Sequence, residues 1–273
     1  MTDMGNITIV GSGNIGFSLA KGLVKAGLCQ PSAITLTRRS LPALEKEASL
    51  GFRVSDDNRQ AVKEAEIVVL AVLPQQARKV MEDIKTSLNP HQSIVSVVSG
   101  LACADVKAVL GADKTVVRAM PNTAIAIGQS MTCIATDTAA PEKVGRIVKL
   151  FESVGSVVVI QEDLMTSATA LCACGIAFFL RAIRAASQGG VEIGFHAHDA
   201  LKMAVQTAKG AADLLQQTRQ HPEGEIDKVT SPKGCTIAGL NEMEHNGFSS
   251  AFIKGIKLSA QKAGGLYEPL ANS

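Results

Sequence analysis

The chain has 273 residues, 46% of them hydrophobic and 19% charged, and its net charge is +2. That length suits two domains, or one large one, with ample core, while so small a net charge creates no field to draw nucleic acid. The absence of tryptophan and the single tyrosine, Tyr267, also leave almost no platform for stacking bases.

Ile7-Thr8-Ile9-Val10 is a β-branched apolar run, and Gly11-Ser12-Gly13-Asn14-Ile15-Gly16 follows it directly, with a helix-like segment from Phe17 to Ala26 behind. Strand, G-x-G-x-x-G and helix in that order are what a dinucleotide pyrophosphate requires. Gly11 allows the sharp turn, Gly13 the close approach of backbone to phosphate, and Gly16 the close packing of helix on strand. The helix N-terminus then offers unpaired N–H groups to the anion. Asp3, Gly5 and Asn6 interrupt the residues before the strand, so no secretion signal is expected.

A second strand, Ile34 to Thr37, ends in Arg38-Arg39-Ser40. An acidic residue at this distance from the glycines would take the ribose 2′-hydroxyl of NAD, whereas Thr37, Arg38 and Arg39 suit a 2′-phosphate; otherwise they form a solvated basic turn. The cofactor expected is therefore NADP, with NADPH preferred over NADH. Leu41 to Leu50 reads as a helix, and Asp56-Asp57-Asn58 as the cap of another reaching Ala65, with Asn58 near the cofactor. Ile67 to Val72 is a continuous apolar run fit for a central parallel strand, closed by Leu73-Pro74-Gln75-Gln76. Strands at Ser93 to Val98 and Thr115 to Ala119 lead into Ser99-Gly100 and Met120-Pro121-Asn122-Thr123. Such alternation predicts a doubly wound parallel sheet with ligands at its carboxyl ends, so Ala71, Val72, Leu73, Pro74, Ser99, Gly100, Met120, Pro121 and Asn122 are expected cofactor neighbours.

Met131 to Ala135 and Val157 to Ile160 read as two further strands around a helix from Pro141 to Val154. Beyond Glu162 only helical periodicity remains, which places a domain boundary near Gln161: residues 1–161 bind the nucleotide and 162–273 form a helical domain. Leu164, Ala168, Leu171, Cys172, Gly175, Ile176, Phe179, Leu180 and Ile183 make one wide apolar stripe, and small residues such as Gly175 would admit a helix of a second copy. The most apolar part, Ala168 to Leu180, stops at Arg181 short of the ~20 residues that cross a bilayer and is expected to be a buried helix, with no membrane partner. Ala200 to Gln217 is another amphipathic helix, His221-Pro222 a break, and Ile237 to His245 a helix ended by Gly247, with Ser249 or Ser250 capping the last. Between these lies Thr230-Ser231-Pro232-Lys233-Gly234-Cys235-Thr236. On spacing alone it is an N-cap before a helix or a loop that holds a small carboxylate.

Six cysteines without a C-x-x-C pair read as reduced thiols in a cytoplasmic protein, and the five histidines share no ligand spacing with them, so no metal is expected.

In the order and separation of Gly11 to Gly16, Ala71 to Gln75, Ser96 to Gly100, Arg118 to Thr123 and Val229 to Thr236, the chain resembles the pyrroline-5-carboxylate reductase family over essentially its whole length. The resemblance implies an N-terminal Rossmann-type NAD(P)-binding domain, an all-helical C-terminal domain that builds an intertwined homodimer open to further assembly, and reduction of 1-pyrroline-5-carboxylate to L-proline. It further implies that Ser231 and the N–H groups of Gly234, Cys235 and Thr236 hold the substrate carboxylate, while the Thr236 hydroxyl meets the ring nitrogen and relays its proton. Departures stand at Cys172-Ala173-Cys174-Gly175-Ile176-Ala177-Phe178, where the family runs S-G-S-G-P-A-Y. Loss of that proline should straighten the helix. Arg184 replaces a usual glutamate, Leu73 a lysine and Lys233 a glycine. Two other readings stay compatible with these changes: reduction of a different imine or keto acid, and a non-catalytic NADP-binding sensor or scaffold.

Overall fold

The computed structural model describes residues 4–138 and 140–267, so Asp3 and residues 268–273 of the expected helical domain lie outside the described residues. Eight strands form one sheet: β1 (Ile7–Val10), β2 (Ile34–Thr37), β3 (Arg53–Ser55), β4 (Ile67–Leu70), β5 (Ser93–Ser96), β6 (Thr115–Met120), β7 (Ser130–Ala135) and β8 (Gly155–Val159). Their order is β3-β2-β1-β4-β5-β6-β7-β8. Side chains alternate across a sheet, so a strand covered on both faces must be apolar at successive positions. Ile7, Ile9, Leu36, Val69, Val95 and Val117 enter one core, where Leu19 and Leu23 of helix Asn14–Lys25 and Ile147, Leu150 and Phe151 of helix Pro141–Glu152 meet them. Val10, Val68, Leu70, Ile94 and Val116 enter the other, closed by Ala77, Met81 and Ile84 of helix Pro74–Ile84 and Val106 and Leu110 of helix Cys103–Leu110. Strand order reverses at β1, between β2 and β4, and this opens the crevice at the carboxyl ends.

Strands β1 to β6 pair in parallel, and β7 then runs antiparallel to β6, with Arg118 opposite Ala135 and Met120 opposite Cys133. The physical reason is the connection, residues 121–129, which is shorter than the dozen or so residues a parallel crossover needs. It holds one short helix, Thr123–Ile127, that ends at Gly128 with φ +73°. Strand β8 pairs in parallel with β7 at the sheet's edge, its Val158 and Val159 exposed.

Several local expectations need adjustment. Strand β3, too short and mixed to show a period, was not foreseen. Residues 41–50 form a tight turn, Leu41–Leu44, before helix Glu45–Ser49. Within Asp56-Asp57-Asn58 it is Asp57 that caps helix Asn58–Val62, its carboxylate accepting the Gln60 N–H at 3.1 Å, and the helix stops at Val62, short of Ala65.

The chain divides into two compact units, 1–174 with 258–273, and 175–257. As expected, no strand follows Glu162 among the described residues. The apolar helix there is longer than its sequence suggested. Residues Glu162–Glu192 make one run of 31 residues with a mean hydropathy of 1.6, long and apolar enough by length and composition to cross a membrane. Arg181 interrupts the apolar part, as expected, but not the helix, because an arginine in a helix interior disturbs no backbone bond. Nor is it a buried helix: only 22% of its apolar window is buried, and Leu171, Phe179 and Leu180 are exposed on the protomer. Without the proline it is still not a regular helix, since Thr169–Cys174 wind as wide π-turns.

In the second unit, helix Gly175–Glu192 packs on helix Ala197–Thr218. At Gly190 an added Cβ would lie 3.0 Å from the Ala200 Cβ, so the two backbones approach closely. Phe178, Phe179 and Phe248 gather around Phe252 at 5.5–6.0 Å between ring centres. His221-Pro222 starts a helix, Pro222–Lys228, instead of merely breaking one, as proline at a first helical position loses no bond. Helices Cys235–His245 and Phe248–Gly264 follow, separated by Gly247 at φ +78°, the expected terminating glycine. The last helix starts ahead of Ser249, whose hydroxyl donates to the Glu244 carboxylate rather than capping.

Candidate active site

The glycine loop occupies the carboxyl end of β1. Gly11 sits at φ +104°, and a Cβ there would meet the Ala71 carbonyl oxygen at 2.6 Å; one on Gly16 would meet the Gly11 oxygen at 2.2 Å. Around Gly13 nothing lies within 4 Å of such a Cβ, so its backbone is open to approach. Gly13 is also the N-cap of helix Asn14–Lys25, and no side chain caps that end. The first-turn N–H groups, from Asn14 and Ile15 onward, therefore keep their donor capacity. These features fit a pyrophosphate. Ser12 is buried; its N–H donates to the Thr37 carbonyl at 2.9 Å and its hydroxyl to Glu47 Oε1 at 3.3 Å. Glu47, a buried carboxylate from helix Glu45–Ser49, escaped the sequence reading because no motif spacing marks it.

At the end of β2, Arg38 and Arg39 are exposed, and neither pairs with a carboxylate among the described residues. The Arg38 N–H donates to Ser55 O at 3.2 Å and its guanidinium reaches Ala43 O at 3.5 Å, which leaves most of its donors free. That fits a 2′-phosphate. Thr37 is buried and donates its hydroxyl to Asn58 Oδ1 at 2.7 Å, so these two brace the turn.

The next strand ends line the same edge. Ala71, whose N–H donates to Val10 O at 2.8 Å, continues from β4 into Val72 and the exposed Leu73, the uncapped N-cap of helix Pro74–Ile84. Ser99 and Gly100 follow β5, with Gly100 at φ +80° against Tyr267, where a Cβ would come within 3.1 Å of the Tyr267 nitrogen. Met120, Pro121 and Asn122 are buried. Asn122 Oδ1 accepts the Ala124 N–H at 3.1 Å and its Nδ2 donates to the Cys172 carbonyl at 3.3 Å. The side chain thus ties the loop to the π-turn. Arg118, four residues before Asn122 and buried, pairs with Glu162 Oε1 at 3.1 Å, and the same oxygen accepts the Cys103 N–H at 2.7 Å. Arg118 belonged to the motif, but its partner Glu162 could not be read from it.

The hydroxyl-rich loop lies in the second unit. Helix Cys235–His245 begins at Gly234 with no side-chain cap, so Thr236 stands in its first turn. Gly234 was expected to offer its N–H to a carboxylate; instead it donates to Ser231 O at 2.9 Å, a tight turn that leaves only Cys235 and Thr236 of the three expected donors. The Ser231 Oγ lies 2.5 Å from where a Gly234 Cβ would sit, which explains a glycine there. Thr230 spends its hydroxyl on Ile226 O at 2.8 Å, while Ser231 and Thr236 donate theirs to no protein group among the described residues. Lys233 is exposed and left-handed at φ +57°, a conformation that normally favours glycine.

Comparison with known proteins gives two family matches. Pyrroline-5-carboxylate reductase dimerisation matches residues 162–266, and NADP oxidoreductase coenzyme F420-dependent matches residues 6–100. Pyrroline-5-carboxylate reductase 1 of Dictyostelium discoideum is 49% identical over 273 residues, which are 96% of this chain and 50% of that protein. The chain thus spans half the length of this relative. Pyrroline-5-carboxylate reductase 2 of the same organism is 46% identical, with 94% of this chain and 92% of the relative covered. A solved structure of a pyrroline-5-carboxylate reductase from Coxiella burnetii superposes with a TM-score of 0.86 at 28% identity, covering 97% of this chain and 99% of that one.

Proposed function

The chain belongs to the pyrroline-5-carboxylate reductase family, and from that premise we propose that it reduces 1-pyrroline-5-carboxylate to L-proline with NADPH, a step of proline biosynthesis. It is an NADP-dependent oxidoreductase acting on a C–N bond, and it works as a homodimer. The cofactor supplies the hydride. What the chain contributes is grip and orientation, because a protonated cyclic imine is already electrophilic and its reduction depends mainly on alignment.

The open loop from Gly11 to Gly16 and the uncapped helix behind it hold the pyrophosphate. Arg38 and Arg39 hold the 2′-phosphate, which NADH lacks. Ala71 to Pro74, Ser99, Gly100 and Met120 to Asn122 shape the nicotinamide end. Ser231 and the N–H groups of Cys235 and Thr236 hold the substrate carboxylate, and the Thr236 hydroxyl donates to the ring nitrogen and relays its proton. The observation that carries this assignment is the open N-terminus of helix Cys235–His245 with two unspent hydroxyls beside it. A second copy covers Leu171, Phe179 and Leu180, which explains so apolar a helix on one protomer. All six cysteines are free, in keeping with a reducing compartment, and we place the protein in the cytoplasm.

Incubation with NADPH and 1-pyrroline-5-carboxylate tests the reading. NADPH consumption with stoichiometric proline supports it. Consumption only with another imine or a keto acid, or binding without consumption, overturns it.

A further inference from the structure

Two thiols outside the assigned site lie together. Cys133, buried on β7, and Cys172, half-buried in the π-turns, have sulfurs 3.8 Å apart, although 39 residues separate them in sequence. Met120, Ala135, Met165 and Ala168 surround them with apolar surface. Cys133 is the register partner of Met120, and the Cys172 carbonyl accepts from Asn122. The pair therefore lies beneath the loop assigned to the nicotinamide, and a bond between the sulfurs would tie sheet to helix there.

We propose that Cys133 and Cys172 form a redox-modification site, in which hydrogen peroxide converts the dithiol to a disulfide and a dithiol reductant restores it, with the closed form slower as a reductase. The Cys172 thiolate attacks the peroxide, the O–O bond breaks, and Cys172 becomes a sulfenic acid as one hydroxide leaves. Cys133 then displaces the sulfenic oxygen, which departs as water with the Cys133 proton. The hydroxide takes up the proton that the Cys172 thiol released on ionising, so two electrons pass from the sulfurs to the peroxide and two waters form in total.

The surroundings select this pair. The contact between the two sulfurs holds the Cys172 thiol below its ordinary range and, with burial, raises Cys133, so the more accessible member is the nucleophile. Cys103, by contrast, is pushed up to about 12 by burial and by Glu162 beside it. Cys174 is two positions from Cys172 on the helical run, a spacing at which side chains do not face each other. A disulfide needs its sulfurs about 2.0 Å apart, so closure draws the π-turn toward β7 by roughly 2 Å and moves the carbonyl that Asn122 holds.

The test treats the purified homodimer with hydrogen peroxide, blocks remaining thiols, and maps peptides by mass without reduction. The expected result is a Cys133–Cys172 linked pair, lighter by two hydrogens than its separate peptides. NADPH consumption should fall several-fold and return with dithiothreitol. Cys133→Ser should keep the untreated rate, form no linked pair and lose the reversible inhibition; Cys133→Val serves if the serine variant does not fold. Absence of the linked pair in the wild type, pairing of other cysteines, or equal reversible inhibition in the Cys133 variant overturns the proposal. The rate effect rests on the proposed reduction, whereas the peptide map does not, so failure of one is distinguishable from failure of the other.

Discussion

Lys233→Gly should stabilise the protein, against the usual expectation for a new glycine. Lys233 is exposed and left-handed at φ +57°. An L-residue with a Cβ pays roughly 1–2 kcal/mol there. Glycine escapes that cost but loses more freedom on folding, about 0.5–1 kcal/mol. The net gain then lies between about 0 and 1.5 kcal/mol, centred on ~0.75 kcal/mol, because no buried contact is lost with the lysine stem. In a chain of this size that central value corresponds to a rise in Tm of about 1–4 °C. Calorimetry at one fixed protomer concentration keeps the dimer equilibrium from obscuring so small a shift. Lys233→Ala is the control: it removes the ammonium, keeps the Cβ, and should leave Tm within a degree. If glycine lowers Tm by more than a degree while alanine does not, Lys233 is not left-handed in solution and the reasoning fails. The same variants separate charge from shape, since an ammonium that helps attract the substrate carboxylate would raise KM equally in both.

Gly13→Val should fold with an unchanged Tm yet bind NADPH at least 10-fold more weakly, while Gly16→Val should lose stability outright, as its Cβ would meet the Gly11 oxygen; calorimetry and titration of NADPH separate the two. Replacing Arg38 and Arg39 together by Ala should weaken NADPH binding about 10- to 100-fold, charge-assisted contacts at an exposed site being screened, and leave NADH unaffected; an equal loss for both cofactors would refute the 2′-phosphate assignment. Thr236→Ala should cut kcat about 10- to 1,000-fold with NADPH affinity retained, whereas Ser231→Ala should mainly raise KM; a wild-type kcat in the Thr236 variant would reduce that residue to an ordinary helix start. For the dimer, Leu180→Asp is a better probe than Gly175→Leu, because Gly175 is buried within its own protomer and Leu180 is exposed; light scattering should show monomer or aggregate, and an active dimer would count against that face.

The nucleotide-binding half was legible because its signals are local. A four-residue apolar strand, a glycine loop and a helix are neighbours in sequence, and the strands Ile7–Val10 and Ile34–Thr37 appear where their β-branched runs stand. The loop at 230–236 was legible in kind, as hydroxyls ahead of a helix, though not in detail: only the folded turn shows that the Gly234 N–H is spent on Ser231.

The amino-acid order alone determined the alternation of strand and helix, the switch to helix after Glu162, the turn glycines at Gly11 and Gly247, and the basic end of β2, since each depends on residues a few positions apart. Tertiary structure alone decided what joins residues far apart. Glu47 against Ser12, Asn58 against Thr37, Glu162 against Arg118 and Cys172 against Cys133 are side-chain meetings with no period or spacing to announce them. The apolar helix shows the same division: its hydrophobicity is written in the sequence, but whether that face is buried depends on which surfaces the fold brings against it. Within one protomer most of it remains uncovered.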